Sequence, residues 1–265
     1  MRAEPFAEAD LDCCAFLGGR LRLWQPRHGY RAGIDPVLLA ASIPARAGQR
    51  VLELGCGAAP ALCCLGVRVP GLALTGVEIQ PAYAALARRN LAQNGLTGEV
   101  LEADLAVPPA ALKAQSFDHV LANPPYFEEG QRSAAPDAGR ELALAGPLPL
   151  AGWVALAARR LAPRGTATFV QRVERLPELL AALGAHLGSL EVLPLAPRAG
   201  RAPRLVLARG RKGGRAAFRL QPPLVLHEGA THLEDGESYT NVIQAALRDG
   251  APLAFAADDR GKGRV

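Results

Sequence analysis

The 265-residue sequence contains no uninterrupted apolar stretch of about 18 residues, so a membrane-spanning helix is not expected. It also lacks the basic segment and apolar run of a secretory leader, because Glu4, Glu8, Asp10 and Asp12 crowd the N-terminal region. A cytoplasmic protein with no membrane partner is expected. The five cysteines, Cys13, Cys14, Cys56, Cys63 and Cys64, never form a Cys-x-x-Cys pair. They therefore read as reduced, mostly buried small apolar residues, with neither a metal site nor disulfides expected. Internal repeats and long low-complexity tracts are absent too, although Ala134–Leu150 is rich in Ala, Pro and Gly and reads as a loop near the site.

Acid is missing locally. From Val192 to His227 there is no Asp or Glu, while Arg198, Arg201, Arg204, Arg209, Arg211, Lys212, Arg215 and Arg219 all fall there. The overall charge of +5 is modest for this length, so the distribution matters more than the total. The cluster suits either a phosphate-contacting surface or an ordinary solvated face, and Arg198, Arg211 and Arg215 are its candidate RNA contacts. Nothing fixes the oligomeric state, and a monomer is the simpler expectation.

A chain with 49% hydrophobic residues can bury one substantial core. Arg50–Leu54 reads as a buried strand ending in Gly55-Cys56-Gly57-Ala58-Ala59, after which Pro60 opens a helix. Leu72–Val77 is a second strand ending at Glu78, and Pro81 opens a helix that runs to Asn94 and stops at Gly95. Glu99–Leu101 and Asp118–Ala122 read as strands three and four, and Thr166–Val170 as strand five. Helices are expected over Trp153–Leu161, Leu176–Leu183 and Ser238–Leu247, with Leu190–Leu195 and Arg204–Ala208 as a closing antiparallel pair. This alternation predicts an α/β, Rossmann-like fold: seven strands, mostly parallel, one closing antiparallel, helices on both faces. The expected division is an N-terminal extension over 1–28, a catalytic domain over 29–227 that includes the basic 198–219 segment, and a C-terminal helix and tail over 228–265.

Gly55 and Gly57 would let a nucleotide approach the backbone, since residues without Cβ adopt positive φ at little cost. The loop alone cannot separate a dinucleotide site from other nucleotide sites, and Ala59 and Pro60 interrupt a full G-x-G-x-x-G pattern. Carboxylates at successive strand ends add to it. Glu53 lies just before the loop; Glu78 could accept from both ribose hydroxyls, and Asp104 from an adenine amino group.

Strand four runs straight into Asn123-Pro124-Pro125-Tyr126. The nitrogen of a base amine is a poor nucleophile because its lone pair is delocalised into the ring. An asparagine oxygen and a backbone carbonyl accepting its two hydrogens would favour a pyramidal nitrogen and aim it at an electrophile. Asn123 would supply the first acceptor and Pro124 the second, while the proline rings hold the turn. Pro125, Tyr126 and Phe127 would form a wall on which a planar base stacks.

Together these residues resemble class I S-adenosylmethionine-dependent methyltransferases of the Asn-Pro-Pro-Tyr type. Gly29-Tyr30-Arg31-Ala32-Gly33-Ile34-Asp35, followed by Pro36-Val37-Leu38-Leu39-Ala40, is similar to a segment of the bacterial tRNA(Val) adenine N6-methyltransferase family that lies over the cofactor. The resemblance runs from about Leu21 to Leu247, through Arg198–Leu207 and Leu224–His227. It implies S-adenosylmethionine as cofactor, with Arg31, Asp35 and Asn123 among its contacts, and a tRNA adenine as methyl acceptor. Asp35 could equally cap a helix starting at Pro36. Two other functions compete: methylation of a release-factor glutamine amide, and a non-catalytic RNA- or protein-binding domain. The first usually has a helical domain ahead of the core, for which the residues before Gly29 are too few; the second would sit better with loss of Asn123 or Asp104.

Overall fold

A computed structural model describes residues 4–29, 31–126, 148–229 and 238–255. Phe127 and nearly all of the Ala134–Leu150 loop lie outside the described residues. The strands are β1 (Leu11–Phe16), β2 (Leu21–Pro26), β3 (Arg50–Leu54), β4 (Ala73–Glu78), β5 (Gly98–Glu102), β6 (Phe117–Ala122), β7 (Leu161–Arg172), β8 (Gly188–Arg198), β9 (Leu205–Arg211), β10 (Arg219–Leu220) and β11 (Leu224–His227). The described helices are α1 (Asp35–Ser42), α2 (Pro60–Arg68), α3 (Pro81–Gln93), α4 (Ala110–Lys113), α5 (Leu150–Arg160), α6 (Leu176–His186) and α7 (Asn241–Asp249).

The main sheet has the order β10-β8-β9-β7-β6-β3-β4-β5, with β11 also on β8. β3 pairs in parallel with β4 and β6, β4 with β5, and β6 with β7. β9 runs antiparallel to both β7 and β8. This is the Rossmann-like α/β fold expected from the alternation. Among the described residues the sheet has nine strands because β10 and β11 extend the edge at β8, two additions too short for a periodic signal.

Both faces are covered, as the near-continuous apolar runs of the central strands require. Along β3, Val51 packs in a core with Leu38, Leu39, Leu62 and Leu65, whereas Leu52 and Leu54 pack with Val154, Leu156 and Leu183. α2 and α3 each begin with a proline in the first turn, where its missing N–H costs no hydrogen bond. α7 ends at Gly250, whose φ of 65° suits a left-handed cap. It starts at Asn241, later than the expected Ser238, because Tyr239 bridges His227 and Thr240 N–H donates to Leu226 O at 3.0 Å.

Residues expected to be a plain N-terminal extension form a hairpin, β1 with β2. Its docking is polar and specific. Asn90 of α3 accepts from Trp24 N–H at 2.8 Å and donates Nδ2 to Trp24 O at 3.0 Å and Ala58 O at 2.9 Å. One turn on, Asn94 accepts from Arg22 N–H at 3.0 Å and donates to Arg22 O at 2.8 Å. Residues i and i+4 on a helix thus serve residues i and i+2 on a strand, matching the two periodicities.

His119, at the start of β6, is buried, with Nδ1 2.8 Å from Thr166 Oγ1 and Nε2 3.1 Å from Gln49 Oε1. The Gln49 oxygen is an acceptor, so the network assigns the hydrogen to Nε2. Burial lowers the pKa to about 4 from 6.5, with Arg209 and Arg68 adding to the shift and Asp118 opposing it. Between these values the unfolded chain binds the proton and the folded one does not, so acid favours unfolding. Stability should fall by about 3 kcal/mol as pH drops from 6.5 to 4. Urea midpoints of the parent and His119→Gln at neutral and acid pH check this; parallel pH curves would rule it out.

Candidate active site

The cleft lies where the chain leaves β3, β4, β5 and β6, at their carboxyl ends, the place open α/β sheets use for ligands. Its inner wall is the Gly55–Ala59 loop. Gly55, Gly57 and Ala59 have φ values of 63°, 55° and 61°, so the backbone alternates into the left-handed region across the sequence departure at Ala59. Ala59 adopts this conformation with a Cβ, at a cost of roughly 1 kcal/mol. A Cβ on Gly55 would sit 2.5 Å from Cη2 of Trp153, whereas one on Gly57 would meet nothing within 4 Å. Gly55 is thus required by the indole beneath it, and Gly57 leaves the space above its backbone open.

Two buried carboxylates stand behind the loop. Glu78, closing β4, accepts from Gly57 N–H at 2.9 Å and from Gln80 N–H at 2.8 Å. Burial raises its pKa, and the backbone N–H groups of Gln80, Gly57 and Ile79 oppose that shift. Glu53 accepts from Leu62 N–H at 3.1 Å, in the first turn of α2. Burial pushes its pKa well up, the Leu62 N–H opposes this, and the nearby Glu78 raises it further. Asp104, beyond β5, is exposed on the rim, with Oδ1 2.8 Å from Ala106 N–H. Gln80 Oε1, in a residue lining the cleft, is buried with no hydrogen-bond partner among the described residues. An unsatisfied buried acceptor beside an open glycine cradle and acidic strand ends is the arrangement a polar nucleoside would complete.

Asn123, Pro124, Pro125 and Tyr126 line the opposite wall. Gln171 Nε2 and Arg175 Nη1 each donate to Pro125 O at 3.2 Å. Gln171 is fully buried on β7 and its Oε1 accepts from Arg172 N–H at 2.8 Å. Arg175 is in turn held by Glu178 at 2.7 Å. The turn after β6 is therefore fixed from the neighbouring strand as well as by its own prolines. Tyr126 O–H donates to Asp35 Oδ2 at 2.6 Å. Burial raises the Asp35 pKa and the tyrosine hydrogen bond opposes it.

The structure brings Arg31, Asp35, Glu53, Gly55, Gly57, Glu78, Asp104, Asn123, Pro124, Pro125 and Tyr126 to one cleft. Arg31 lines it while its guanidinium is held by Asp12 at 2.8 Å, Cys14 Sγ at 3.1 Å and Pro26 O at 3.2 Å. Two expectations are corrected. Asp35 does not cap α1: it is the first residue of the helix, and its carboxylate accepts from Tyr126. Arg198 is only 8% exposed, with its guanidinium on the carbonyls of Glu228 and Gly229, and is unavailable to a phosphate. Arg211 and Arg215 are exposed but lie away from the cleft, because β9 is antiparallel: Arg211 pairs with Thr166, near the other end of β7 from Gln171.

Trp153, Gln80, Gln171 and Arg175 are the contributors that the sequence reading missed. Trp153 carries a helical pattern that reads as core. Gln171 and Arg175 act on a carbonyl 46 and 50 residues earlier in the chain, which no local pattern announces.

A profile of the methyltransferase small domain family matches residues 32–193. The tRNA1(Val) (adenine(37)-N6)-methyltransferase of Shewanella amazonensis is 33% identical over 163 residues, 60% of this chain and 68% of its own length. The enzyme of the same name from Porphyromonas gingivalis is 31% identical over 162 residues, 56% of this chain and 61% of its own, so the match spans about three fifths of that relative. A predicted O-methyltransferase from Agrobacterium tumefaciens superposes with a TM-score of 0.67 at 26% identity, over 83% of this chain and 98% of that one. The T. thermophilus 16S rRNA N2 G1207 methyltransferase, solved with AdoMet and guanosine, shares the fold at a TM-score of 0.53 and 22% identity, over 76% and 50% of the two chains. With the matched residues running through every strand end that bounds the cleft, the chain belongs to the methyltransferase small domain family.

Proposed function

We propose that the protein is an S-adenosylmethionine-dependent N-methyltransferase of the Asn-Pro-Pro-Tyr type, acting on the exocyclic amine of an adenine in RNA, with a tRNA as substrate. The observation that carries this reading is the wall Asn123–Tyr126, anchored through Pro125 O and facing the glycine loop and Glu78 across one cleft. The names of the tRNA-modifying relatives support the choice of substrate.

S-Adenosylmethionine would supply a sulfonium methyl that is already electrophilic, so no strong base is needed to activate the amine. Glu78 would accept from the ribose hydroxyls, Asp104 from the adenine amino group, and the open face of Gly57 would admit the nucleoside. Glu53, Arg31 and Asp35 would complete its surroundings. Asn123 Oδ1 and the Pro124 carbonyl would accept the two hydrogens of the target amine and turn its lone pair toward the cofactor side. Tyr126, with Pro125 and Phe127, would offer the flat surface for an unstacked base, an interaction worth roughly 1–3 kcal/mol. An extruded base is needed for such a site, since the amine is out of reach inside a duplex.

The test is incubation of the purified protein with S-adenosylmethionine and unmodified tRNA transcripts, followed by nucleoside mass spectrometry. N6-Methyladenosine is the expected product. Methylation of a protein glutamine in its place, or no methylated nucleoside at all, would refute the reading.

A further inference from the structure

The chain has two stretches of more than 30 residues without a single Asp or Glu, 142–173 and 192–227. They hold β7 and β9, which pair with each other. The pairing brings their cations together at the end of the sheet where the parallel strands begin. Arg211 Nε donates to Arg164 O at 3.2 Å, Lys212 N–H to Gly165 O at 2.9 Å and Lys212 Nζ to Leu161 O at 2.7 Å. Arg160, ending α5, donates to the carbonyls of Leu112 and Lys113. Arg215 is exposed on the turn that follows, where Gly214 abuts Gly188 and Ala216 N–H reaches Ser189 Oγ at 2.9 Å.

Carbonyls, not carboxylates, hold the side chains of Arg160, Arg211 and Lys212. Among the described residues, Arg160, Arg164, Arg211, Lys212 and Arg215 take part in no ion pair. The carboxylates on neighbouring strands are engaged elsewhere: Asp118 accepts from Arg50 N–H at 2.8 Å, and Glu191 lies 2.5 Å from Arg209 and 3.5 Å from Arg219. Like charges gathered without counter-charges repel one another, and a polyanion relieves that repulsion with release of its own counterions.

The patch is separate from the cleft. Thr166, opposite Arg211, and Gln171, which holds the cleft wall, are five residues apart on β7, or about 17 Å along an extended strand. We infer that this surface binds the phosphate backbone of the RNA substrate at a second site, remote from the nucleotide being modified. The inference rests on the RNA reading above and adds a requirement to it: the substrate must be a structured RNA large enough to reach both ends of the sheet. On this inference the patch takes phosphates that lie outside the target arm.

Fluorescence anisotropy of the full-length protein with a complete tRNA transcript, and with the anticodon stem-loop cut from it, tests this. A triple variant, Arg164→Gln, Arg211→Gln and Arg215→Gln, should raise the Kd for the complete transcript about tenfold near physiological salt and reduce the salt slope by about 2 to 3. Its Kd for the isolated stem-loop should stay within twofold of the parent's. The matching triple lysine variant should keep the parent's slope, which separates charge from any loss of folding. A glutamine variant with the parent's Kd and slope for the complete transcript would overturn the inference. So would equal weakening for both RNAs, since that would place these arginines in the footprint of the cleft. Binding and methylation are scored apart: a parent that binds through the patch but methylates no adenine defeats the functional reading alone.

Discussion

Replacing Asn123 with alanine should lower methyl-transfer turnover by about 100- to 1000-fold, the size of loss that follows removal of one preorganised group from a reacting centre. The proposed role is to accept a hydrogen from the target amine, an interaction that strengthens as the nitrogen becomes pyramidal and positively charged. A contact of that kind acts on turnover more than on binding. The surrounding turn should survive the substitution, because Pro124 and Pro125 fix its backbone and Pro125 O is held by Gln171 on β7 and by Arg175 just beyond it. Single-turnover rates and calorimetric titration of S-adenosylmethionine, run on parent and variant, separate the two effects. Turnover equal to the parent's would remove Asn123 from the chemistry. A loss of cofactor affinity that matched the loss of rate would reassign it to the cofactor.

Asn90→Leu should destabilise the fold by about 3–5 kcal/mol, since three hydrogen bonds are lost and the groups left behind remain buried. Asn90 is fully buried, and its amide serves Trp24 N–H, Trp24 O and Ala58 O at once. Leucine has the same branched shape and is somewhat larger, so the loss would come from unsatisfied polar groups and not from a cavity. Because Ala58 belongs to the loop at the cleft, the same variant should also weaken cofactor binding, whereas Asn94→Leu, whose amide serves the hairpin and Asn90 O but no atom of that loop, should not. Urea denaturation with cofactor titration on both variants decides the matter. A destabilisation below about 1 kcal/mol for Asn90→Leu would show that water or a shifted strand replaces the amide.

The strand, loop and helix over Arg50–Arg68 were legible because everything that specifies them is local: an apolar run, glycines at the turn and a proline in the first helical turn. The same holds for the carboxylates at the strand ends and for Asn123–Tyr126. The hairpin β1–β2 was not legible, since what fixes it is a pair of asparagine side chains 66 and 72 residues further along the chain. The arginines show a different limit. Sequence shows that they cluster, but which end of the sheet receives them depends on the direction of β9, and Arg198 turns inward because carbonyls after β11 are there to meet it.

The bond between Tyr126 and Asp35 has a consequence for how a base would be told apart from its rivals. With the phenol hydroxyl committed to Asp35, the aromatic ring has only its π-surface to offer a visitor, and every nucleobase has a matching face. Stacking there would grip adenine, guanine or a pyrimidine with little preference. Discrimination then falls on the rim of the base, where an oxygen on Asn123 asks for an N–H and rejects a carbonyl. The tyrosine would set how firmly a base is held, and the asparagine that the edge facing it carries an amine.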